Sequence, residues 1–233
     1  MSVPILTYHQ IAVPPSRRIP FRSMAVHPDD FRRQMHLLKR FGFQGLSLRE
    51  ALPYVNGKKK GKVVAITFDD SYANVHENAL PVLRDCGFTA TNFVVANQIG
   101  GRNEWDIPLG VPPSACMNLA QLREWTALGN EIGSHTMDHA RLPDLSAEDA
   151  WNQIFLSRVA LEDTIDDEVS SFCFPYGDER SLHRQLAIEA GYSVATTTWR
   201  RRARKCDDPF GLPRLTIRRN DSWLHFLKKC LVG

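Results

Sequence analysis

The chain has 233 residues, of which 43% are hydrophobic and 24% charged, the balance of a folded globular protein and not of a disordered one. Its 29 Lys+Arg against 26 Asp+Glu leave a net charge of +3, too near balance to call for a polyanion partner. No apolar run approaches the ~18 residues of a membrane span. The five cysteines, Cys86, Cys116, Cys173, Cys206 and Cys230, are scattered, odd in number and never spaced C-x-x-C, which suits a reducing compartment and argues against a structural zinc knot. The opening Met1 to His9 lacks a basic stretch and has too short an apolar core for an export signal, so the expectation is a cytoplasmic protein.

In chain order, β-rich runs alternate with amphipathic stretches, the pattern of a parallel sheet with crossover helices. Val3 to His9 reads as the first strand. A Pro/Arg-rich loop (Pro14, Pro15, Arg17, Arg18, Pro20) leads to Asp29 to Arg40, where Phe31, Met35 and Leu38 fall at i, i+4 and i+7 of a helix that Gly42 stops. Ser47 caps a short helix through Tyr54, and the solvated charges of Lys58 to Lys62 precede Val63 to Phe68, a strand with no polar face and therefore buried on both sides. Ala73 to Cys86 reads as a helix bent by Pro81 and ended by Gly87, followed by a strand from Thr89 to Ala96. The stretch 97–117, rich in Gly and Pro and without period, has the length of a lid or binding loop. Helices then follow over 118–128, 146–166, 180–190 and 221–231, and strands over 131–134, 171–174, 192–198 and 215–217. Six or more βα units exceed one half of a doubly wound sheet. The expected fold is α/β, a single (β/α) barrel with fewer than eight strands, about seven, spanning 1–233 as one domain.

In such a barrel catalytic groups collect where strands end. The first strand ends at His9, another at Asp69-Asp70, a later one at His135 with His139 close behind, and another at Pro175-Tyr176-Gly177. Adjacent carboxylates after an apolar strand repel unless a cation or a shared proton relieves them, which suits one as a metal ligand and the other as a base. The same Asp-Asp-Ser also suits a helix cap. His135 and His139 share a face if the segment turns helically, and with Asp70 they complete a two-His, one-carboxylate set that leaves coordination positions open for water and substrate. Solvated helix faces carry such histidine pairs as well.

These residues also carry a resemblance. Thr67-Phe68-Asp69-Asp70-Ser71 resembles the Thr-Phe-Asp-Asp-Gly signature of the polysaccharide deacetylase family (NodB homology, carbohydrate esterase family four), and His135-Thr136-x-x-His139 resembles its His-[Ser/Thr]-x-x-His metal motif. Similarity extends through Leu6 to His9, Phe174 to Gly177, Gly191-Tyr192, Ala195 to Thr197 and Leu212 to Leu215, an arrangement most like the poly-N-acetylglucosamine deacetylase branch, with its circularly permuted motif order. The resemblance implies removal of acetyl groups from N-acetylated sugars with one divalent ion held by Asp70, His135 and His139. Zinc is the first choice, ahead of nickel, cobalt, iron or manganese. It implies Asp69 as the base acting on the attacking water, the Tyr176 backbone N–H as oxyanion donor, and His9 as the general acid in place of the Leu-x-His histidine of most members. His225, the one other candidate near the C-terminus, reads as a surface or packing residue. Three departures stand out: Ser71 replaces the glycine of the signature; Cys173 stands where many members have the arginine that orients the aspartate, leaving that task empty or with Arg214; and the aspartate and tryptophan of another motif have no counterpart near Thr198-Trp199.

For the sugar itself the expected contacts are Trp105, Tyr8 and Pro175, with Tyr176 and Trp199 as further stacking aromatics; packing under a loop is the alternative for each aromatic. Trp199 to Lys205 is the strongest basic cluster, either a solvated loop or a contact for a lipid-linked sugar phosphate or a membrane surface. The expected partner is an N-acetylated sugar or glycan, lipid-linked or nucleotide-linked in a cytoplasmic setting, with no nucleic acid. Three other readings stay open: an O-acetyl sugar esterase on the same site, a non-catalytic glycan-binding protein, and a hydrolase of small cyclic amides on the same fold.

Overall fold

Eight parallel strands form the main sheet of the computed structural model, which describes residues 2–232. They are β1 (Ile5–Tyr8), β2 (Gln44–Leu46), β3 (Val63–Phe68), β4 (Thr91–Val94), β5 (Glu131–Ser134), β6 (Ser171–Cys173), β7 (Val194–Thr196) and β8 (Leu215–Thr216). The sheet runs β7-β6-β5-β4-β3-β1-β8, and β2 pairs with the first half of β3, through Gln44–Val63, Gly45–Val64 and Leu46–Ala65. The seven-strand arc curls into a half-barrel, open between β7 and β8. The chain that precedes β8 reaches across this opening: Leu212 donates its N–H to Ala195 and accepts from Thr197 N–H at 3.0 and 2.9 Å. The expected barrel is thus present in strand number and direction but is not fully closed.

Eight helices surround the sheet: α1 (Pro28–Arg40), α2 (Leu48–Val55), α3 (Ala73–Asn78), α4 (Leu80–Cys86), α5 (Leu119–Ala127), α6 (Ala147–Ile165), α7 (Ser181–Glu189) and α8 (Trp223–Leu231). In α1, Pro28 opens the helix, Asp29 and Asp30 occupy the positive end of its dipole, and Lys39 and Arg40 the negative end, while Phe31, Met35 and Leu38 are buried against the sheet. The one helix expected over 73–86 is two. Pro81 has no N–H to continue the ladder, so the chain breaks at Ala79 and α4 starts afresh with Pro81 in its first turn. The short strand β2 escapes the sequence because its Gln44-Gly45-Leu46 has neither β-branching nor alternation; Gly45 is required there by space, since a Cβ would sit 2.6 Å from the Phe88 ring. Among the described residues no helix is long and apolar enough to cross a membrane.

Strand parity divides the core in two. In β3, Val64, Ile66 and Phe68 face outward into the layer between sheet and helices, while Val63 and Ala65 face the barrel interior with Ile5, Phe93, Cys173 and Val194. Parity also settles β1. Ile5 lies in the interior cluster and Leu6 and Tyr8 in the outer one. The Tyr8 ring is fully buried against Phe31 and Phe68, and its hydroxyl donates to Gln34 Oε1 at 2.8 Å. Tyr8 therefore cannot serve as a sugar contact: neighbours in a strand point to opposite faces, and it is His9 that turns inward.

The barrel floor is built by α2. Its capping box, Ser47 with Glu50, fixes the start, and the free backbone N–H groups of its first turn are used on the sheet: Leu48 N–H donates to Thr91 Oγ1 (2.7 Å) and Arg49 N–H to Glu131 Oε2 (2.9 Å). Glu131 is buried and also accepts from Thr91 Oγ1 (2.6 Å) and Ser171 Oγ (2.5 Å), so one carboxyl joins α2, β4, β5 and β6. Burial pushes its pKa up, opposed by these donors. Glu131→Ala would strand three buried donors and is expected to lower the unfolding free energy by about 3 kcal/mol or more. Urea denaturation measures this, and a loss below ~1 kcal/mol would show that the floor is not held by this carboxyl.

Candidate metal centre and active site

Interior parity carries β3 into Asp69 and β5 into His135, at the carboxyl ends of their strands, where loops can shape a site. Asp69 N–H donates to Tyr8 O at 3.0 Å and His135 N–H to Val94 O at 2.8 Å, so both are tied to the sheet. Parity alone would send Asp70 outward. It is brought back by a left-handed turn, φ 71° at Asp70 and 53° at Ser71. Ser71, which replaces the glycine of the signature, thus takes the left-handed conformation that favours glycine.

The histidine pair behaves similarly. Residues 136–138 form a turn, not the helical segment that the i, i+4 spacing suggested, and Thr136 (φ 68°) and His139 (φ 59°) both take left-handed backbone. With Tyr176 at φ 61°, five of the seven non-glycine residues of positive φ among those described lie at this site. Such conformations cost of order 1–3 kcal/mol each and persist where the surroundings over-determine them. Gly177 follows Tyr176 at φ 72°, where a Cβ would fall 2.1 Å from Thr198 Oγ1, so only glycine completes the Pro-Tyr-Gly turn.

Two separate arrangements result. His135 Nε2 and His139 Nε2 lie 3.5 and 3.3 Å from Asp70 Oδ1, and the three ligand atoms fit within 4.8 Å of one another. His135 Nδ1 is 2.7 Å from Cys173 O, a pure acceptor, so Nδ1 carries the proton and Nε2 presents its lone pair. Asp70 Oδ1 is buried with no hydrogen-bond donor among the described residues. An orphaned carboxylate oxygen facing two imidazole nitrogens fits a divalent cation, which would use all three. Burial raises the Asp70 pKa, but the nearness of His139, with His9 and His135, outweighs it and holds the carboxyl well below the usual range.

Asp69 is occupied differently. Arg214, 1% exposed, grips it with Nη1 to Oδ1 and Nη2 to Oδ2, both at 2.7 Å. Arg214 also donates to Thr67 Oγ1 (3.0 Å), Thr197 O (3.1 Å) and Cys173 Sγ (3.0 Å), so each of its five N–H groups has an acceptor. The task that Cys173 cannot perform is therefore done by Arg214. Burial pushes Asp69 upward, and the Arg214 charge and hydrogen bonds overcome this and keep it ionised. A second metal-like group of Asp69, His135 and Cys173 exists, but Asp69 is already neutralised and burial pushes the Cys173 thiol far up, which makes it a poor ligand.

His9 stands with Nε2 4.0 Å from Asp69 Oδ2, and its buried Nδ1 has no hydrogen-bond partner among the described residues. Its rival His225 lies exposed on α8, paired with Asp221 at 3.0 Å, away from the cavity. Tyr176 N–H is used in no backbone hydrogen bond outside its own single turn. His9, Asp69, Asp70, His135, His139, Tyr176 and Trp105 all line one cavity of about 470 Å³. The Trp105 ring stacks on His139 at 4.7 Å and Tyr176 meets His139 edge-on at 4.7 Å. Pro175 is buried and does not line the cavity; it sets the turn that presents Tyr176 and Gly177. The 97–117 loop, with short 3-10 helices at Ala96–Gln98 and Glu104–Leu109, is pinned to the Asp70-Ser71 turn by Met117 N–H to Ser71 O (2.7 Å) and Ala73 N–H to Ala115 O (2.9 Å).

Other site residues were not singled out from sequence. Tyr72 donates to Asp106 Oδ2 at 3.2 Å, placing a third acid in the cavity wall beside Asp69 and Asp70, and burial raises the Asp106 pKa, with the nearby Asp70 charge adding to it. The basic run 199–205 disperses on folding: Arg201 pairs with Asp207, Arg202 donates to Leu231 O and Ser2 O, and only Arg200 of the run lines the cavity. Trp199 is 53% exposed beside Arg184 and outside the cavity, so it is not brought to the site.

A family model described as polysaccharide deacetylase matches residues 56–195. The chain is 28% identical over 198 residues to the Bacillus subtilis protein YxkH, covering 84% of this chain and 64% of that one. It is 27% identical over 225 residues to the poly-beta-1,6-N-acetyl-D-glucosamine N-deacetylase of Staphylococcus epidermidis, covering 89% and 73%. The solved Streptococcus pyogenes deacetylase PplD, in complex with acetate, superposes with a TM-score of 0.86 over 99% of this chain and 98% of that one, at 25% identity.

Two outcomes are expected from this geometry. Arg214→Met leaves a buried, unpaired carboxylate and should cost about 3–5 kcal/mol of stability, most of it recovered in Arg214→Met/Asp69→Leu. A denaturation cycle over the four chains checks this, and simple additivity of the two losses would show that the residues do not act as a pair. Separately, a divalent ion at 100 times its Kd should stabilise the native chain by about 2.7 kcal/mol and should fail to stabilise Asp70→Asn; an equal shift of Tm in both would place the ion elsewhere.

Proposed function

The chain belongs to the polysaccharide deacetylase family, and from that premise we propose that it hydrolyses the acetamido group of an N-acetylated sugar or glycan, releasing acetate. The observation that carries this reading is the pairing, in one cavity, of an ionised carboxylate locked by Arg214 with an Asp-His-His set whose oxygen lacks a donor. Asp70, His135 and His139 would hold a divalent ion, with zinc first on its preference for nitrogen and oxygen donors. Bound there, the ion supplies Lewis acidity to the amide carbonyl and lowers the pKa of water from 15.7 towards ~7.

Asp69 then takes the proton of the attacking water. Arg214 engages both of its oxygens and the Cys173 thiol adds a donor to Oδ2 at 3.8 Å, which leaves a lone pair on Oδ1, and the guanidinium fork fixes which way it points. The Tyr176 N–H faces the developing oxyanion, a contact of the kind worth ~2.7–4 kcal/mol in the transition state. His9 gives a proton to the departing amine, which cannot leave as an anion. Trp105 lies along the cavity wall as the apolar face for the sugar ring. The esterase reading uses the same groups, because both acyl transfers pass through a tetrahedral oxyanion. The binding-only reading is disfavoured by a complete set of base, ligands and acid, and the cyclic-amide reading by the complete ligand set.

Acetate release from N-acetylglucosamine oligomers and from O-acetylated sugars is the direct test. Asp69→Asn and His9→Ala are each expected to lower kcat by ~10²–10⁴ with little change in divalent-ion affinity. Chelation should abolish turnover and restored metal recover it. Metal bound at Asp70 with no acetate released from any acetylated sugar would replace the hydrolase with a binding protein.

A further inference from the structure

The cavity does not end at the catalytic cluster. It continues along an apolar shelf of Val13, Ile19, Phe21 and Met24 from the loop before α1, and three arginines, Arg22, Arg200 and Arg218, line it as well. They come from three separate segments: that loop, the chain after β7, and the chain after β8. Arg219 N–H donates to Ser23 O at 3.0 Å, which holds the loop carrying Arg22 against the turn carrying Arg218. The carboxylates of the neighbourhood are engaged elsewhere, Asp207 with Arg201, Asp208 with Arg184 and Asp221 with Lys229. Among the described residues none lies within ion-pair distance of Arg22, Arg200 or Arg218. Partial desolvation, then the like charges of Arg219 and Arg17, lower the Arg22 pKa, so its surroundings offer repulsion and no counter-charge. The acids of the cavity do not relieve this: Asp69 is neutralised by Arg214, Asp70 faces the two imidazoles, and Asp106 accepts from the Tyr72 hydroxyl and forms no ion pair with these arginines.

From this placement we infer that the acetylated sugar carries a phosphate group, a monoester or diester, which docks on Arg22, Arg200 and Arg218 while its acetamido group lies at Asp69 and Asp70. The inference rests on the deacetylase reading and names the substrate class within it. A carboxylate presents two coplanar oxygens that one guanidinium fork already satisfies. Three arginines on three separate segments of one cavity lining suit a tetrahedral group with oxygens on several sides and up to two negative charges. A cavity of about 470 Å³ has room for a sugar and its phosphate together. The shelf beside Arg22 is apolar, so the group attached to the far side of the phosphate distinguishes three sources of the same chemistry: a free sugar phosphate, a nucleotide-linked sugar and a lipid-linked one.

The test separates binding from turnover. Calorimetry on the metal-loaded Asp69→Asn chain compares N-acetylglucosamine, its 1-phosphate, a nucleoside-diphosphate conjugate and a short-chain polyprenyl diphosphate conjugate. The phosphate forms are expected to bind at least tenfold more tightly than the neutral sugar, and Arg22→Gln, Arg200→Gln and Arg218→Gln, made singly on that chain, to weaken them about tenfold each. Added salt should erode the preference. The strongest binder among the three identifies the source. Equal binding of neutral and phosphorylated sugars, equal losses for both in the arginine variants, or preference for an N-acetylated sugar bearing a carboxylate would overturn the phosphate site. Acetate release by the native chain is scored separately: its failure with the phosphate preference intact removes the deacetylase reading alone, and turnover of neutral and phosphorylated sugars with equal kcat/KM removes the phosphate site alone. Unfolding midpoints of the variants confirm that each is folded.

Discussion

A guanidinium and a carboxylate, both almost fully buried, meet in the interior of this half-barrel, and much of the surrounding structure serves to keep them satisfied. Taking two charges out of water costs several kcal/mol each unless every donor and lone pair finds a partner. Arg214 finds five acceptors: both oxygens of Asp69, Thr67 on β3, Cys173 on β6 and Thr197 after β7. It stands in the segment that crosses the opening between β7 and β8, so the same side chain that holds Asp69 also fastens the one seam of the sheet. Phe93 packs its ring beneath the guanidinium at 5.5 Å and needs Gly133 beside it, where a Cβ would come within 2.5 Å of that ring. The placement of Asp69 and the integrity of the barrel are thus parts of one interaction network.

The second constraint is the alternation of the strands. With interior and exterior side chains fixed in turn, each strand end delivers one residue to the cavity, and two adjacent functional residues cannot both arrive by parity. Asp69 arrives by parity and Asp70 by a left-handed turn; His135 arrives by parity and His139 through a turn with two left-handed residues. The backbone strain is therefore located where one strand must supply two groups. Met117 anchors the long loop to Ser71 at the first turn, and at the second Ala96 and Asn97 donate their N–H groups to Thr136 O and Met137 O while Gln153 Oε1 accepts from Met137 and Asp138 N–H.

Electrostatically the cavity has three parts. A neutralised ion pair and an Asp-His-His cluster are both buried, while Arg22, Arg200 and Arg218, none of them buried, line the same cavity without an ion-pair partner among the described residues. Each part has its own solution to charge: the first is closed by hydrogen bonds, the second calls for a cation, and the third for an anion. A substrate spanning the second and third parts would be oriented by opposite requirements at its two ends.

The sequence by itself determined the class of fold and the identity of the central residues. The apolar run Val63 to Phe68 could only be a doubly buried strand, the helical periodicity of Phe31, Met35 and Leu38 is the buried face of α1, and Ser47 and Glu50 form the expected cap. Asp69, Asp70, His135, His139, His9 and Tyr176 were legible because strand ends and motif spacing are local features, and all six meet in one cavity. Features that depend on distance in three dimensions were not legible. The half-closed state of the barrel, Arg214 taking the place opposite Asp69, Tyr8 turned to the core and the basic run broken up into separate pairs all arise from strand register and from which segments cross the opening. Arg22, Arg200 and Arg218 are far apart in the chain and share no motif, so only the tertiary structure, by bringing three segments to one cavity, placed them in the same lining.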